Sequence, residues 1–200
     1  MQGRVYPVLD PPTHLTNLGD HRSWSIELAQ ENYNWVMSVR KRRVDSLLEF
    51  FGYALPEKGR ENDFLISLGE EVGVALCTEP NNREVAGKKE LTAPGLSMAY
   101  DMGLLIGQLL ITASEGTVRW ALFRAEPLSP EFNLPVLIGR REDWEIGVNR
   151  VCIVKAKAIL RGEKSGDVWA IVYRNWHSEL NSARVTPTRL RPGSKLSHDN

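Results

Sequence analysis

The segment LSMAYDMGLLIGQLLITA, residues 96–113, decides how the rest of the chain can be arranged. Its apolar side chains point in nearly all directions around a helix, which is typical of a helix at the centre of a core. Pro94 precedes it, where proline suits the first turn of a helix. The most apolar run, 102–113, is shorter than the stretch of about 20 residues that spans a bilayer. We therefore expect a buried central helix and no interaction with a membrane.

Four glycines lie inside two predicted helices. Gly103 and Gly107 belong to the central helix, and Gly69 and Gly73 belong to a second apolar segment at 60–78. A glycine inside a helix costs about 1 kcal/mol relative to alanine. This cost is offset where another backbone packs closely against the glycine. We therefore predict that the two helices cross with these glycines facing each other.

Hydrophobic periodicity predicts further helices on both sides of the central one. A long amphipathic segment precedes it, and two shorter segments follow it. Between them, β-branched and aromatic residues predict a small β element at about 117–138. The first of these C-terminal segments, 148–161, also shows an alternation that would suit a strand, with a hairpin loop at 162–166, and this alternative stays open. The predicted fold is α+β and mostly helical, with helices at 23–53, 60–78, 96–113, 148–161 and 168–180.

The two ends of the chain differ in composition from its middle. Residues 1–20 contain three prolines and predict an extended arm. Residues 21–181 predict a single globular domain, in which the polar stretch 79–92 is expected to be a loop. Residues 182–200 are basic, have no apolar pattern and predict a flexible tail.

Charge and cysteine usage exclude several classes of function. Lysine and arginine total 25, and aspartate and glutamate also total 25, so nothing attracts the chain as a whole to nucleic acid. Cys77 and Cys152 lie in apolar runs and are expected to be buried thiols in a reducing compartment. We therefore expect a cytoplasmic protein that does not bind nucleic acid.

No motif in the sequence fixes a reaction or a cofactor. The histidines and cysteines lack metal-ligand spacings such as H-x-x-x-H or C-x-x-C. No Gly-x-Ser-x-Gly nucleophile motif is present. The glycine repeats lie within helices, so they would not present free N–H groups to a phosphate. We therefore predict no metal, no cofactor and no catalytic residue.

A basic run, Arg-Lys-Arg-Arg at 40–43, lies in the first predicted helix. Successive residues of a helix point about 100° apart, so these four do not form one basic stripe. Arg40 falls on the apolar face of the helix. A buried arginine needs an acidic partner. Glu71, beside the apolar stripe of the 60–78 helix, is the predicted partner in a buried ion pair.

The opposite face of the first helix carries a second stripe with two tryptophans. Tryptophan and arginine are enriched in binding hot spots. Two interpretations stay open: the stripe binds a partner, or the arm or the 168–180 helix covers it. The interface candidates are Trp24, Leu28, Trp35, Val39 and Arg42.

Two functions remain. The first is a non-catalytic protein-interaction module, such as a bacterial immunity or adaptor protein, bound to another protein or to a second copy of itself. A flat exposed apolar patch would support it. The second is an enzyme or small-molecule-binding domain, which an aromatic-lined pocket with convergent polar groups would support. Its site would be assembled from scattered residues, with Arg119, Arg124, Trp120, Glu71, Trp144 and His177 as the pool.

Overall fold

The computed structural model describes residues 5–16, 18–139 and 144–182. These residues contain five α-helices and two small antiparallel sheets. The predicted α+β, mostly helical class is confirmed. Both C-terminal segments are helices, so the hairpin alternative is wrong. The helices are α1 (Ile26–Phe51), α2 (Glu61–Leu76), α3 (Ala93–Ala113), α4 (Val148–Leu160) and α5 (Val168–Ser182).

The central helix is α3, as the apolar run predicts. It packs against α1 on one side and α4 on another. Met98, Met102 and Leu105 are fully buried. By length and composition α3 could cross a membrane, but 67% of its most apolar window is buried inside the fold. This burial is typical of the core helix of a soluble protein.

The helical glycines are points of close approach, but not to one another. A Cβ added at Gly69 would lie 2.3 Å from the carbonyl oxygen of Gly166, just before α5. A Cβ added at Gly103 would lie 2.7 Å from the Cα of Asn149, in the first turn of α4. The predicted crossing of α2 and α3 through their glycines is therefore wrong. Each helix uses a glycine to approach a C-terminal element instead.

A β hairpin replaces the loop predicted at 79–92. Strands β1 (Asn82–Val85) and β2 (Lys88–Leu91) pair antiparallel around Ala86 and Gly87. Both turn residues have positive φ, 51° and 75°, as a two-residue hairpin turn with the twist of its strands requires. Nearly all of the hairpin's side chains are exposed, so no apolar alternation marked it in the sequence.

The second sheet has the order β3 (Arg119–Leu122), β4 (Pro135–Ile138) and β5 (Glu145–Ile146), all antiparallel. It extends the β element predicted at 117–138 by one short strand. Trp120 of β3 packs its ring against Gly107 of α3, where a Cβ would lie 2.5 Å from Cζ2. The sheet is thereby fixed to the central helix.

The chain ends are described in part. The arm lies on the molecule, and its Tyr6 is almost completely buried. Helix α5 runs to Ser182. The rest of the predicted basic tail, 183–200, lies outside the described residues, and the division into arm, domain and tail stays a prediction.

Two glycine-to-alanine variants test the close approach. Gly103→Ala would place a methyl group against the α4 backbone, and we expect a loss of about 1–3 kcal/mol in the free energy of unfolding. Gly73→Ala is the matched control, because its Cβ would lie 3.4 Å from the Gly166 Cα, an ordinary contact. This control should be neutral or gain up to about 1 kcal/mol from helix propensity. Urea unfolding measures both, and equal stability of the two variants would contradict the packing described.

Candidate functional site

A buried ion pair joins α1 to α3. The Arg43 Nε donates to Asp101 Oδ1 over 3.0 Å, and Nη2 donates to Oδ2. Asp101 is 0% exposed and Arg43 is 6% exposed. The hydroxyl of Tyr6 also donates to Asp101. Burial raises the pKa of Asp101, while the bonds from Arg43 and Tyr6 act in the opposite direction.

The same arginine fixes the N-terminal arm. Its Nη2 donates to the Pro7 carbonyl over 2.9 Å, and Nη1 donates to the Val8 carbonyl over 3.3 Å. The Leu9 amide donates to Ser97 Oγ on α3 over 2.7 Å. The arm is therefore held by a charged side chain in the core and not only by surface contacts.

This pair takes the place of the one predicted between Arg40 and Glu71. Arg40 is half-buried, and its Nη1 lies 3.4 Å from the sulfur of Met37. Glu71 accepts a hydrogen bond of 2.7 Å from the Tyr53 hydroxyl. The periodicity of the first helix could not show that Arg43 is the buried arginine. Some of the partners of Arg43 are backbone carbonyls of the arm, and the arm follows no helical pattern.

A cavity of about 360 Å³ lies behind the arm, between α1, α3, α4 and the loop before β4. The volume falls within the range of small-molecule sites, roughly 300–1,000 Å³. Apolar and aromatic side chains form most of its walls. The lining residues are Leu9, Pro11, Leu15, His21, Trp24, Asn32, Trp35, Tyr100, Glu131, Leu134, Pro135, Gly147, Asn149, Arg150 and Ile153.

Only two members of the predicted tryptophan stripe line this cavity. Trp24 and Trp35 are half-buried and form part of its wall, and Trp24 Nε1 donates to the Leu18 carbonyl over 3.2 Å. Leu28 and Val39 are half-buried outside it. Arg42, the last member of the stripe, is exposed. The two tryptophans therefore line a concave site shared with the arm.

Asn133, which sequence reasoning missed, positions one wall of the cavity. It is fully buried and has φ of 66°, a left-handed conformation that asparagine tolerates. Its Nδ2 donates to the carbonyls of His21 and Trp24 over 2.8 and 3.2 Å. The turn that carries both ring side chains is thereby tied to the loop before β4.

The Asn149 side chain lies beside the cavity and is buried. The residue is 6% exposed, and its Oδ1 and Nδ2 have almost no accessible surface. Oδ1 lies against the Gly103 backbone, where an added Cβ would be 2.5 Å away. Burial raises the pKa of the neighbouring Tyr100 hydroxyl, and a hydrogen bond with Asn149 offsets part of this rise. Tyr100 therefore stays a neutral hydroxyl in the wall.

Two further polar groups have their orientation fixed. His21 Nδ1 lies 2.7 Å from the Phe132 carbonyl, which only accepts, so Nδ1 carries the proton. In the neutral ring Nε2 is then an acceptor. Glu131 accepts from Arg150 Nη1 over 3.1 Å, which balances its charge at the cavity edge.

The structure does not bring together the residue pool predicted for an enzyme site. Glu71 contacts Tyr53, and the His177 ring stacks on Tyr173 with centroids 5.5 Å apart. Arg124 donates to Asn133 over 2.7 Å. Arg119 is exposed on β3, whereas Trp120 packs on Gly107 and Trp144 on Gly139.

Other features of the described residues are weaker candidates for a functional site. A larger cleft of about 950 Å³ between the β1–β2 hairpin and the end of α4 is lined mainly by exposed side chains. Within residues 5–16, 18–139 and 144–182, no cluster of histidine, cysteine, aspartate and glutamate could hold a metal ion. Both cysteines are free; Cys152 is buried as predicted, but Cys77 is exposed.

Comparison with known proteins gives no relative. No family model matches this chain, and no curated protein or solved structure matches it.

Alanine substitution of Arg43 tests the buried pair. Arg43→Ala leaves Asp101 buried without its cation, and we expect a loss of about 3–5 kcal/mol in the free energy of unfolding. Arg40→Ala is the control on the same helix and should cost less than about 1 kcal/mol. Chemical denaturation of both variants measures this. A loss for Arg43→Ala no larger than the loss for Arg40→Ala would contradict the energetic importance of the buried pair.

Proposed function

We propose that this protein is a non-catalytic binding protein that holds a small, largely apolar organic molecule in the cavity behind the arm. The observation that carries the proposal is the cavity of about 360 Å³, whose wall is mainly apolar and aromatic with a few polar side chains. Concave apolar sites of this size are typical of small-molecule binding.

The shape of the site favours a small ligand over a flat protein surface. Trp24 and Trp35 lie around a concavity, and the arm closes part of it. A few polar groups in a mainly apolar cavity are typical of small-molecule sites. The carboxylate of Glu131 is paired with Arg150, so we assign it to the wall and not to acid–base chemistry. The cytoplasmic, bacterial setting expected from the sequence stays part of this proposal.

Filling the cavity tests the proposal. We expect prodan, a neutral naphthalene dye whose emission reports an apolar environment, to bind the wild-type protein saturably with one site. Ile153→Trp places a large ring in the cavity and should weaken binding by at least about tenfold, or 1.4 kcal/mol. Val154→Trp is the matched control, because Val154 is the next residue of α4, does not line the cavity and is 50% exposed.

Thermal unfolding of both variants verifies that they are folded. The proposal is overturned if the wild-type protein binds no prodan, or if Ile153→Trp and Val154→Trp bind it equally.

A protein partner, in the simplest case a second copy of the chain, is the second candidate. The observation favouring it is the exposure of Val5 and Val8 on the arm, 58% and 46%. The arm is held by Arg43, one helical turn beyond the half-buried Val39. Apolar side chains from the arm and from the tryptophan stripe therefore lie on the same side of the molecule.

Sedimentation equilibrium tests this second candidate. A dimer formed through the arm should dissociate when Val8→Glu places a charge in its interface. Val154→Glu, on α4, adds the same charge at a similarly exposed position and should leave the mass unchanged. A concentration of 100 µM is about the Kd of a weak specific association. A wild-type protein that stays monomeric at this concentration would contradict the self-association hypothesis.

A further inference from the structure

We infer that the ligand of the cavity is a neutral aromatic molecule with an O–H or N–H donor at its edge, as in a phenol or an indole. The inference rests on the proposed function and names the chemical class of its ligand. It is carried by a fixed acceptor atom on His21, by the paired charges of the lining and by the aromatic walls.

The His21 ring offers a hydrogen-bond acceptor at the cavity. Its Nδ1 donates to the Phe132 carbonyl over 2.7 Å, so Nε2 of the neutral ring carries a lone pair and no proton. Among the described residues Nε2 has no partner. His21 lines the cavity and is half-buried, and its Nε2 keeps some accessible surface, so a molecule in the cavity can reach this atom.

The position of this acceptor is fixed from three sides. The bond from Nδ1 to Phe132 sets the rotation of the ring, because a ring flip would break it. The His21 carbonyl accepts from Asn133 Nδ2 over 2.8 Å, which holds the backbone. The ring also lies edge to face against Trp24, with centroids 6.2 Å apart and planes at 84°. A group held in this way is preorganised for a ligand.

A ligand without a donor would leave this acceptor buried and unpaired. If an apolar group or a second acceptor covers Nε2, the atom loses contact with water and gains no hydrogen bond, which weakens binding. An O–H or N–H at the edge of the ligand pairs with Nε2 instead. The amide of Asn32, also in the lining, can both donate and accept, so it does not select between the two kinds of ligand.

The charges in the lining favour a neutral ligand. Glu131 accepts from Arg150 Nη1 over 3.1 Å, and its second oxygen accepts from Ser129 Oγ over 3.3 Å. The carboxylate and the guanidinium therefore balance each other. A charged ligand would leave water without meeting a free opposite charge, which is costly. A neutral donor avoids this cost.

The walls favour an aromatic body. The rings of Trp24, Trp35 and Tyr100 line the cavity, and Leu134 and Ile153 add aliphatic surface. Aromatic rings pack on one another in offset or edge-to-face geometry, which a planar ligand allows. A flat ring system with one donor at its edge therefore matches both the wall and His21.

Two pairs of probes test the need for a donor. 2-Naphthol and 2-methoxynaphthalene share one ring system, and indole and 1-methylindole share another; only the first probe of each pair has a donor. A fifth probe, 2-naphthoate, carries a negative charge. Each probe is titrated at pH 8 against bound prodan, which has no donor of its own. We expect 2-naphthol and indole each to bind at least about fivefold more tightly than the methylated partner.

Two variants remove the acceptor. In His21→Asn an amide N–H can still donate to Phe132, but no atom replaces Nε2. His21→Phe keeps a planar ring without an acceptor. In both, we expect the preference for the donor probes to fall to within about twofold, while prodan still binds. His14→Asn is the matched control, because His14 lies on the arm, pairs with Glu31 and does not line the cavity. It should leave the preference intact, and thermal unfolding verifies that all three variants are folded.

The outcomes separate this inference from the proposed function. Equal binding within both pairs of probes to the wild-type protein overturns the donor class, as does a preference that survives in either variant of His21. Tighter binding of 2-naphthoate than of 2-naphthol overturns the neutral class. In each of these cases saturable prodan binding leaves the proposed cavity function standing, whereas absence of prodan binding overturns both.

Discussion

The contact between Arg43 and Asp101 is the constraint on which the described site depends. Two charges removed from water are stable together only if nearly every donor and acceptor is matched. Here the carboxylate is matched by Arg43 and Tyr6, and the remaining guanidinium donors reach carbonyls of the arm. The arm is thus a required partner of the buried pair. Its position then determines where the cavity can lie, because Leu9, Pro11 and Leu15 form one wall.

A second constraint comes from backbones that touch. Helix α4 can lie close to α3 only because position 103 has no side chain, and this contact places Asn149 beside the cavity. The packing of the core and the placement of the polar group are therefore one feature.

The sequence predicted the helices and the central place of α3, because periodicity and an unbroken apolar run are local signals. It predicted that Gly69 and Gly103 allow close approach, but their partners, Gly166 and Asn149, are distant along the chain and carry no matching signal. The buried arginine was misplaced by three residues for a similar reason. A carboxylate at 101, inside a run that is apolar all round, was the one local sign that an ionic partner would be buried there.

Because the arm forms one wall of the cavity, binding of a molecule in the cavity and binding of the arm to the core would be coupled. A molecule in the cavity would touch the arm, so lifting the arm would cost the contacts of both. By reciprocity, whatever loosens the arm lowers affinity by the same factor as occupancy tightens the arm. Because the arm's anchor is a buried charge pair, leaving the seated state would require exposing that pair to water. Exchange of the bound molecule would then depend on the rate at which the arm's carbonyls leave Arg43 and Tyr6 leaves Asp101, and not on the strength of the contacts in the cavity alone.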